Sequence, residues 1–348
     1  MNMFSTRLVA WQEKSGRHDL PWQSGRDPYR IWVSEIMLQQ TQVATVIPYF
    51  LRFMAAFPDV ATLAAAPGEQ VLGLWSGLGY YARARNLHRA ARLVAEQHAG
   101  RFPGNAEDIA TLPGIGRSTA AAIAAFAWGE RVAILDGNVK RVLTRCFGID
   151  GFPGERAVET RLWALAESLL PDTGVERYTQ GLMDLGATVC TRSRPDCPAC
   201  PMASDCQGLA QGRVAELPTP RPRRERPLRR ETVLILLDDD GVLLERRPPM
   251  GIWGGLSALP VLPEVCDDPI GWAAETLGVE VGTLASLPIL RHDFTHFRLE
   301  MRPLLGRVHG ARPVAHQDAL SWLSLTEASL AEAPLPAPVR KLLSGLPK

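Results

Sequence analysis

Leu112-Pro113-Gly114-Ile115-Gly116-Arg117-Ser118-Thr119 leads directly into Ala120-Ala121-Ala122-Ile123-Ala124-Ala125-Phe126. Two glycines one residue apart let backbone approach a ligand closely, and a helix opening beside them offers free N–H groups. That combination is an anion site, and DNA phosphate suits it, with Gly114, Gly116 and Arg117 as the contacts. Taken alone, the same stretch is also a plain turn between two helices. It lacks the residues of a nucleotide P-loop or of a dinucleotide fingerprint.

Outward from this hairpin the first 210 residues read as helical. Asp27-Pro28 is an N-cap followed by proline in the first turn, opening a helix through Ile31, Trp32, Glu35, Ile36 and Leu38. Thr41 is expected to cap the next helix, in which Val43, Ile47, Phe50, Leu51, Met54 and Phe57 recur at helical spacing, with an irregularity at Pro48. Further helices are expected over Arg83–His98, Ser118–Trp128, Val139–Cys146, Val158–Leu169 and Val175–Leu185.

Four of the six cysteines fall between Cys190 and Cys206. Cys190, Cys197, Cys200 and Cys206 give C-x6-C-x2-C-x5-C, four thiols able to surround one compact centre. Structural zinc and a [4Fe–4S] cluster compete for that pattern, and the shortness of the loop favours the cluster modestly.

Composition changes along the chain. Residues 213–230 carry seven Arg against two Glu and four prolines, which reads as a linker. Residues 231–348 carry 10 basic and 15 acidic side chains. There Thr232–Leu237 and Val242–Arg246 flank Asp239-Asp240-Gly241, a hairpin signal. Strands over Ile289–Phe294 and Phe297–Leu305 and a short helix over Trp272–Leu277 complete an α+β reading. With 348 residues, 46% hydrophobic and 22% charged, the chain can build cores, and wholesale disorder is excluded. No apolar run is long enough to span a membrane, so a soluble cytoplasmic protein is expected, with the domains 1–212, 213–230 and 231–348.

The first 210 residues resemble the helix-hairpin-helix DNA glycosylases, in the branch that excises adenine. The segments that carry the resemblance are Ser34-Glu35-Ile36-Met37-Leu38-Gln39-Gln40-Thr41-Gln42-Val43, Gly77-Leu78-Gly79-Tyr80-Tyr81-Ala82-Arg83, Leu112–Ser118, Ile134-Leu135-Asp136-Gly137-Asn138-Val139 and the four cysteines. The last domain resembles the Nudix hydrolase MutT. The resemblance implies an all-α catalytic domain with a [4Fe–4S] loop, an α+β Nudix-like domain, and a monomer acting on double-stranded DNA with adenine opposite 8-oxoguanine or guanine.

From pattern alone Glu35 is a solvated helix residue and Asp136 an N-cap. The resemblance reverses both readings. It assigns general acid to Glu35 and stabilisation of a sugar cation to Asp136, with Asn138 as helper, by the two-carboxylate logic of glycosidases. It places Trp22, Gln23 and Gln180 at the base, and Gln40, Thr41, Leu78 and Tyr80 at the DNA stack. Ser118 stands where glycosylases that also cut the backbone carry a nucleophilic lysine, so no amine is available there for a Schiff base. In the Nudix-like domain, Phe294-Thr295-His296 is the implied 8-oxoguanine contact. Residues 255–279 lack the acidic cluster that binds a catalytic metal, which leaves a binding module.

Overall fold

The computed structural model describes residues 3–222, 225–248, 251–294, 296–310 and 319–346. Thr295 lies outside the described residues. The chain forms two compact units: residues 1–66 with 86–223, and residues 67–85 with 224–348. Among the described residues no helix is long and apolar enough to cross a membrane.

The first 212 residues hold α1 (Met3–Ser15), α2 (Pro28–Leu38), α3 (Val43–Ala56), α4 (Val60–Ala65), α5 (Gly68–Trp75), α6 (Ala82–Gln97), α7 (Ala106–Ile109), α8 (Arg117–Trp128), α9 (Gly137–Cys146), α10 (Arg156–Ser168), α11 (Val175–Asp184) and α12 (Gln207–Ala210). The centre of the helical unit is α8. Its run Ala120–Ala125 is at most 3% exposed, and a helix apolar on all sides is a buried one. Its alanines let α2 and α11 pack against it closely. Asp27 caps α2 as expected, its Oδ1 accepting from the Tyr29 N–H at 2.9 Å. Thr41 does not cap α3. That helix starts one residue later behind Gln42, without a side-chain cap, and runs continuously through Pro48.

The hairpin between α7 and α8 explains its own sequence. Gly114 has φ +80°, and a Cβ there would sit 2.7 Å from the Cβ of Asn86. Gly116 has an ordinary extended φ of −90° and open space around it, so close approach of another molecule is what its missing side chain permits.

The second unit is built on one seven-stranded sheet. It comprises β1 (Leu228–Leu237), β2 (Val242–Arg246), β3 (Ser257–Ala258), β4 (Glu280–Ser286), β5 (Leu290–Asp293), β6 (Arg298–His309) and β7 (Leu320–Leu323). The path is β3-β2-β1-β6-β4, with β5 on β6 and β7 on β2. β1 and β6 run parallel, and β1 and β2 form the expected hairpin through Leu237↔Val242. β1 is covered on both faces. Val233 and Ile235 enter one core with Leu330, Val339 and Leu343, while Leu234 and Leu236 enter another with Ala273 and Leu277. The helices behind these cores are α13 (Pro269–Trp272), continued by a π-helical turn to Leu277, α14 (Glu327–Glu332) and α15 (Ala337–Ser344).

Residues 67–85 pack with this second unit, although the sequence alone places them inside the first domain. The Tyr81 hydroxyl donates to Leu335 O at 3.3 Å, Arg340 donates to Ser76 Oγ at 2.7 Å, and Arg246 pairs with Glu69 at 2.5 Å.

Candidate active site

A cavity of about 510 Å³ opens in the helical unit, within the range of roughly 300–1,000 Å³ usual for small-ligand clefts. Trp22, Gln23, Glu35 and Gln180 all line it, with Arg17, Leu38, Phe126 and Met183. Glu35 comes from the middle of α2, whose neighbouring residues Ser34, Ile36 and Met37 are buried. Among the described residues Glu35 has no hydrogen-bond or ion-pair partner. Burial, and then the negative charge of Asp136, raise its pKa to about 8. A carboxyl held this way keeps its proton at neutral pH and can give it up to a bound base.

Asp136 is not among the cavity-lining residues, but it stands near enough for its charge to act on Glu35. It is the N-cap of α9, its Oδ1 accepting from the Val139 N–H at 2.8 Å. Burial raises its pKa as well; the N–H groups of Val139 and Asn138 and the cations Arg141 and Lys140 oppose that rise. Two adjacent carboxylates do not both ionise easily. The N–H donors and cations favour the ionised form of Asp136, and Glu35 has no such partner among the described residues. The loop leading to Asp136 is held by Ser118, whose Oγ accepts from the Leu135 N–H at 2.9 Å. Ser118 thus braces the carboxylate loop.

Sequence reasoning missed Arg141. Its guanidinium donates to Asn138 Oδ1 at 2.8 Å, Gly186 O at 2.6 Å and Cys190 O at 2.8 Å. The Asp136–Asn138 turn is thereby tied to the start of the cysteine loop. Gly186 lies in a π-helical turn, Leu185–Val189, where a Cβ would meet the Asn138 Cβ at 2.6 Å.

Cys190, Cys197, Cys200 and Cys206 border one cavity, together with Cys146. The buried Arg145 organises that loop. It donates to Leu217 O at 2.8 Å, Thr191 O at 2.7 Å and Arg192 O at 3.1 Å, and approaches Cys190 Sγ at 3.4 Å. Among the described residues no three His, Cys, Asp or Glu side chains are disposed to hold a single metal ion.

The residues expected at DNA fall into two groups. Gln40 and Tyr80 both have positive φ, 58° and 50°, which is uncommon outside glycine, and both are exposed. Thr41 is half-buried, and Leu78 is buried at 6% exposure. Arg83 holds the Tyr80 turn, donating to Leu78 O and Gly79 O and lying 5.6 Å from the Tyr80 ring. Arg117 is exposed but engaged, paired with Glu167 and lying 3.8 Å over the Trp163 ring. In the second unit Phe294 stacks on Phe297 at 4.3 Å and meets His292 edge-on at 4.7 Å, with His296 4.7 Å from Phe297. Arg226 donates to Phe294 O at 3.2 Å.

A family model described as HhH-GPD superfamily base excision DNA repair protein matches residues 33–168, and a NUDIX domain model matches residues 232–345. The chain is 34% identical over 347 residues to an adenine DNA glycosylase of Buchnera aphidicola subsp. Acyrthosiphon pisum (strain APS), covering 99% of this chain and 98% of that one. This chain belongs to the adenine DNA glycosylase family. It is also 45% identical over 213 residues to the human adenine DNA glycosylase, covering 59% of this chain and 39% of that one. Among solved structures, a thermostable thymine-DNA glycosylase is 31% identical with a TM-score of 0.55, covering 60% of this chain and 95% of that one. A non-covalent endonuclease III–DNA complex, at 20% identity and a TM-score of 0.52, shares the fold of the helical unit. The family thus joins a helix-hairpin-helix glycosylase to a Nudix-like unit, the expected combination.

Proposed function

We infer that this protein is a base-excision-repair glycosylase that hydrolyses the N-glycosidic bond of adenine mispaired with 8-oxoguanine or guanine, leaving an abasic site. The single observation that carries the reading is Glu35: a carboxyl without a hydrogen-bond partner among the described residues, on the wall of a base-sized cavity, with pKa raised to about 8 beside a second carboxylate. An extruded adenine enters that cavity, at an unstacking cost of about a few kcal/mol. Glu35 gives its proton to the five-membered ring of the purine. The C1′–N9 bond then breaks with both electrons leaving on the base. Asp136 stabilises the cationic sugar, helped by Asn138, which Arg141 holds. Water adds to C1′ and releases a proton, and the abasic sugar remains. Ser118 has no amine to trap the sugar, so backbone cleavage does not follow.

Gln40, Thr41, Leu78 and Tyr80 meet the DNA stack, and Gly114, Gly116 and Arg117 meet a phosphate. The strained backbone at Gln40 and Tyr80 supports the first assignment, and the open space at Gly116 supports the second. Phe294, Thr295 and His296 read the 8-oxoguanine, which the aromatic cluster around Phe294 supports. Cys190, Cys197, Cys200 and Cys206 hold a [4Fe–4S] cluster. The four thiols border one cavity, which supports this reading. When bound, the cluster supplies a rigid anionic anchor for the loop. The protein acts on duplex DNA as a cytoplasmic monomer.

The test is base release from duplexes carrying adenine opposite 8-oxoguanine, guanine or thymine. Release is expected in the first two and far less in the third. Equal release in all three, or a borohydride-trapped protein–DNA adduct, would contradict the reading.

A further inference from the structure

Gln180 can present either end of its amide to the cavity, and only one end suits the 6-amino group of adenine. Its orientation is decided by a residue behind it. Asp184 is fully buried in the helical unit, and three donors converge on it. The Arg17 backbone N–H donates to its Oδ2 at 2.9 Å, Arg17 Nε donates to its Oδ1 at 2.7 Å, and Gln180 Nε2 donates to its Oδ1 at 2.8 Å. An ionised carboxylate only accepts, so the Gln180 NH₂ must be the end turned toward it. The Oε1 of Gln180 has no partner among the described residues, and Gln180 lines the cavity. Gln23, by contrast, has committed its amide within its own loop, accepting from the Leu20 N–H and donating to Arg17 O, both at 3.0 Å.

We propose that Asp184 is a positioning residue for base selection: it locks the Gln180 amide so that an acceptor faces the exocyclic group of the bound purine. Adenine offers an amino donor at that place. A 6-oxo purine offers a carbonyl, which would meet the Gln180 oxygen acceptor to acceptor and lose a hydrogen bond on both sides. Arg17 serves the same lock, because its ion pair holds the Asp184 carboxylate in register. The inference rests on the proposed adenine chemistry and adds the source of its preference for adenine over 6-oxo purines.

The experiment compares single-turnover release of adenine and of hypoxanthine, each opposite 8-oxoguanine, by the full chain. Asp184→Leu removes both acceptor oxygens, so the Gln180 amide loses its lock. The adenine-to-hypoxanthine rate ratio is expected to fall at least about tenfold, the equivalent of one hydrogen bond. Gln180→Met, which leaves Asp184 untouched, should lower the ratio similarly. Asp184→Asn combined with Gln180→Glu should restore it, because the amide introduced at position 184 can donate to the carboxylate introduced at position 180, whose other oxygen faces the cavity. Equal losses for both bases in Asp184→Leu, with the ratio unchanged, would overturn the proposal and leave Asp184 a structural residue. Should that variant fail to fold, an unchanged ratio in Gln180→Met would overturn it. Absence of adenine release by the parent protein is a different result, and it would contradict the glycosylase reading itself.

Discussion

Glu35 and Arg145 are both ionisable side chains drawn into the helical unit, one at the base cavity and one at the cysteine loop. Glu35 has no polar partner among the described residues, and its pKa moves to about 8. Arg145, 3% exposed, spreads its donors over the carbonyls of Leu217, Cys190, Thr191 and Arg192 and over Cys190 Sγ. The first region leaves a proton available; the second leaves nothing available and fixes a loop. Burial without partners creates a reagent, and burial with partners creates a support.

The comparison breaks most visibly if the two ends are altered in turn. Glu35→Gln should fold and bind duplex yet release adenine about 10³-fold more slowly, within the range for loss of a general acid, as read by single-turnover kinetics. Arg145→Met should do the opposite first. The carbonyls of Leu217, Thr191 and Arg192 lose their donor while Cys190 O keeps Arg141, so the protein should lose about 3 kcal/mol of stability in denaturant melts and, on the proposed cluster reading, retain less iron when purified. Substantial turnover with an intact cluster in Arg145→Met would show that the loop does not depend on that guanidinium.

A smaller effect sharpens the contrast through pH. The Glu35 carboxyl holds its proton up to about 8 when folded and loses it near the ordinary value of 4.5 when unfolded. Between those values the folded state binds the extra proton, so the contribution of Glu35 to stability is full below pH 4.5 and declines as pH rises toward 8. Glu35→Gln removes that slope. The variant should be the more stable protein at pH 8, by about 1–3 kcal/mol, and the advantage should vanish near pH 4.5. Smallest is Ser118→Ala, which strips the Leu135 N–H of its acceptor and should cost about 1 kcal/mol in a thermal melt.

Much of the helical unit was legible because its signals are local. Asp27 caps α2, Gly114 occupies a conformation that suits glycine, and the alanines of α8 announce a crowded helix. Asp136 shows how two readings can both hold: it caps α9 and still lends its charge to Glu35. What escaped the sequence is long-range. Asp184 meets Arg17 across 167 residues, and Arg141 meets Cys190 across 49. No spacing rule reports such partners. Residues 67–85 look like one more helical stretch, and only their packing assigns them to the Nudix-like unit. Leu78, expected beside the DNA stack, is buried at 6% exposure. β4 and β7 were not anticipated: β4 is mostly exposed, and β7 is only four residues long with one of them exposed, so neither gives clear alternation to read.

The most direct measurement is the pH dependence of single-turnover adenine release from duplex with 8-oxoguanine opposite, for the parent and for Glu35→Gln, between pH 5 and 9. Loss of the Glu35 proton predicts a parent rate that falls through one ionisation near 8 and a variant rate that is slow and flat. A parent rate that climbs through that pH, or a variant that matches the parent, would contradict it.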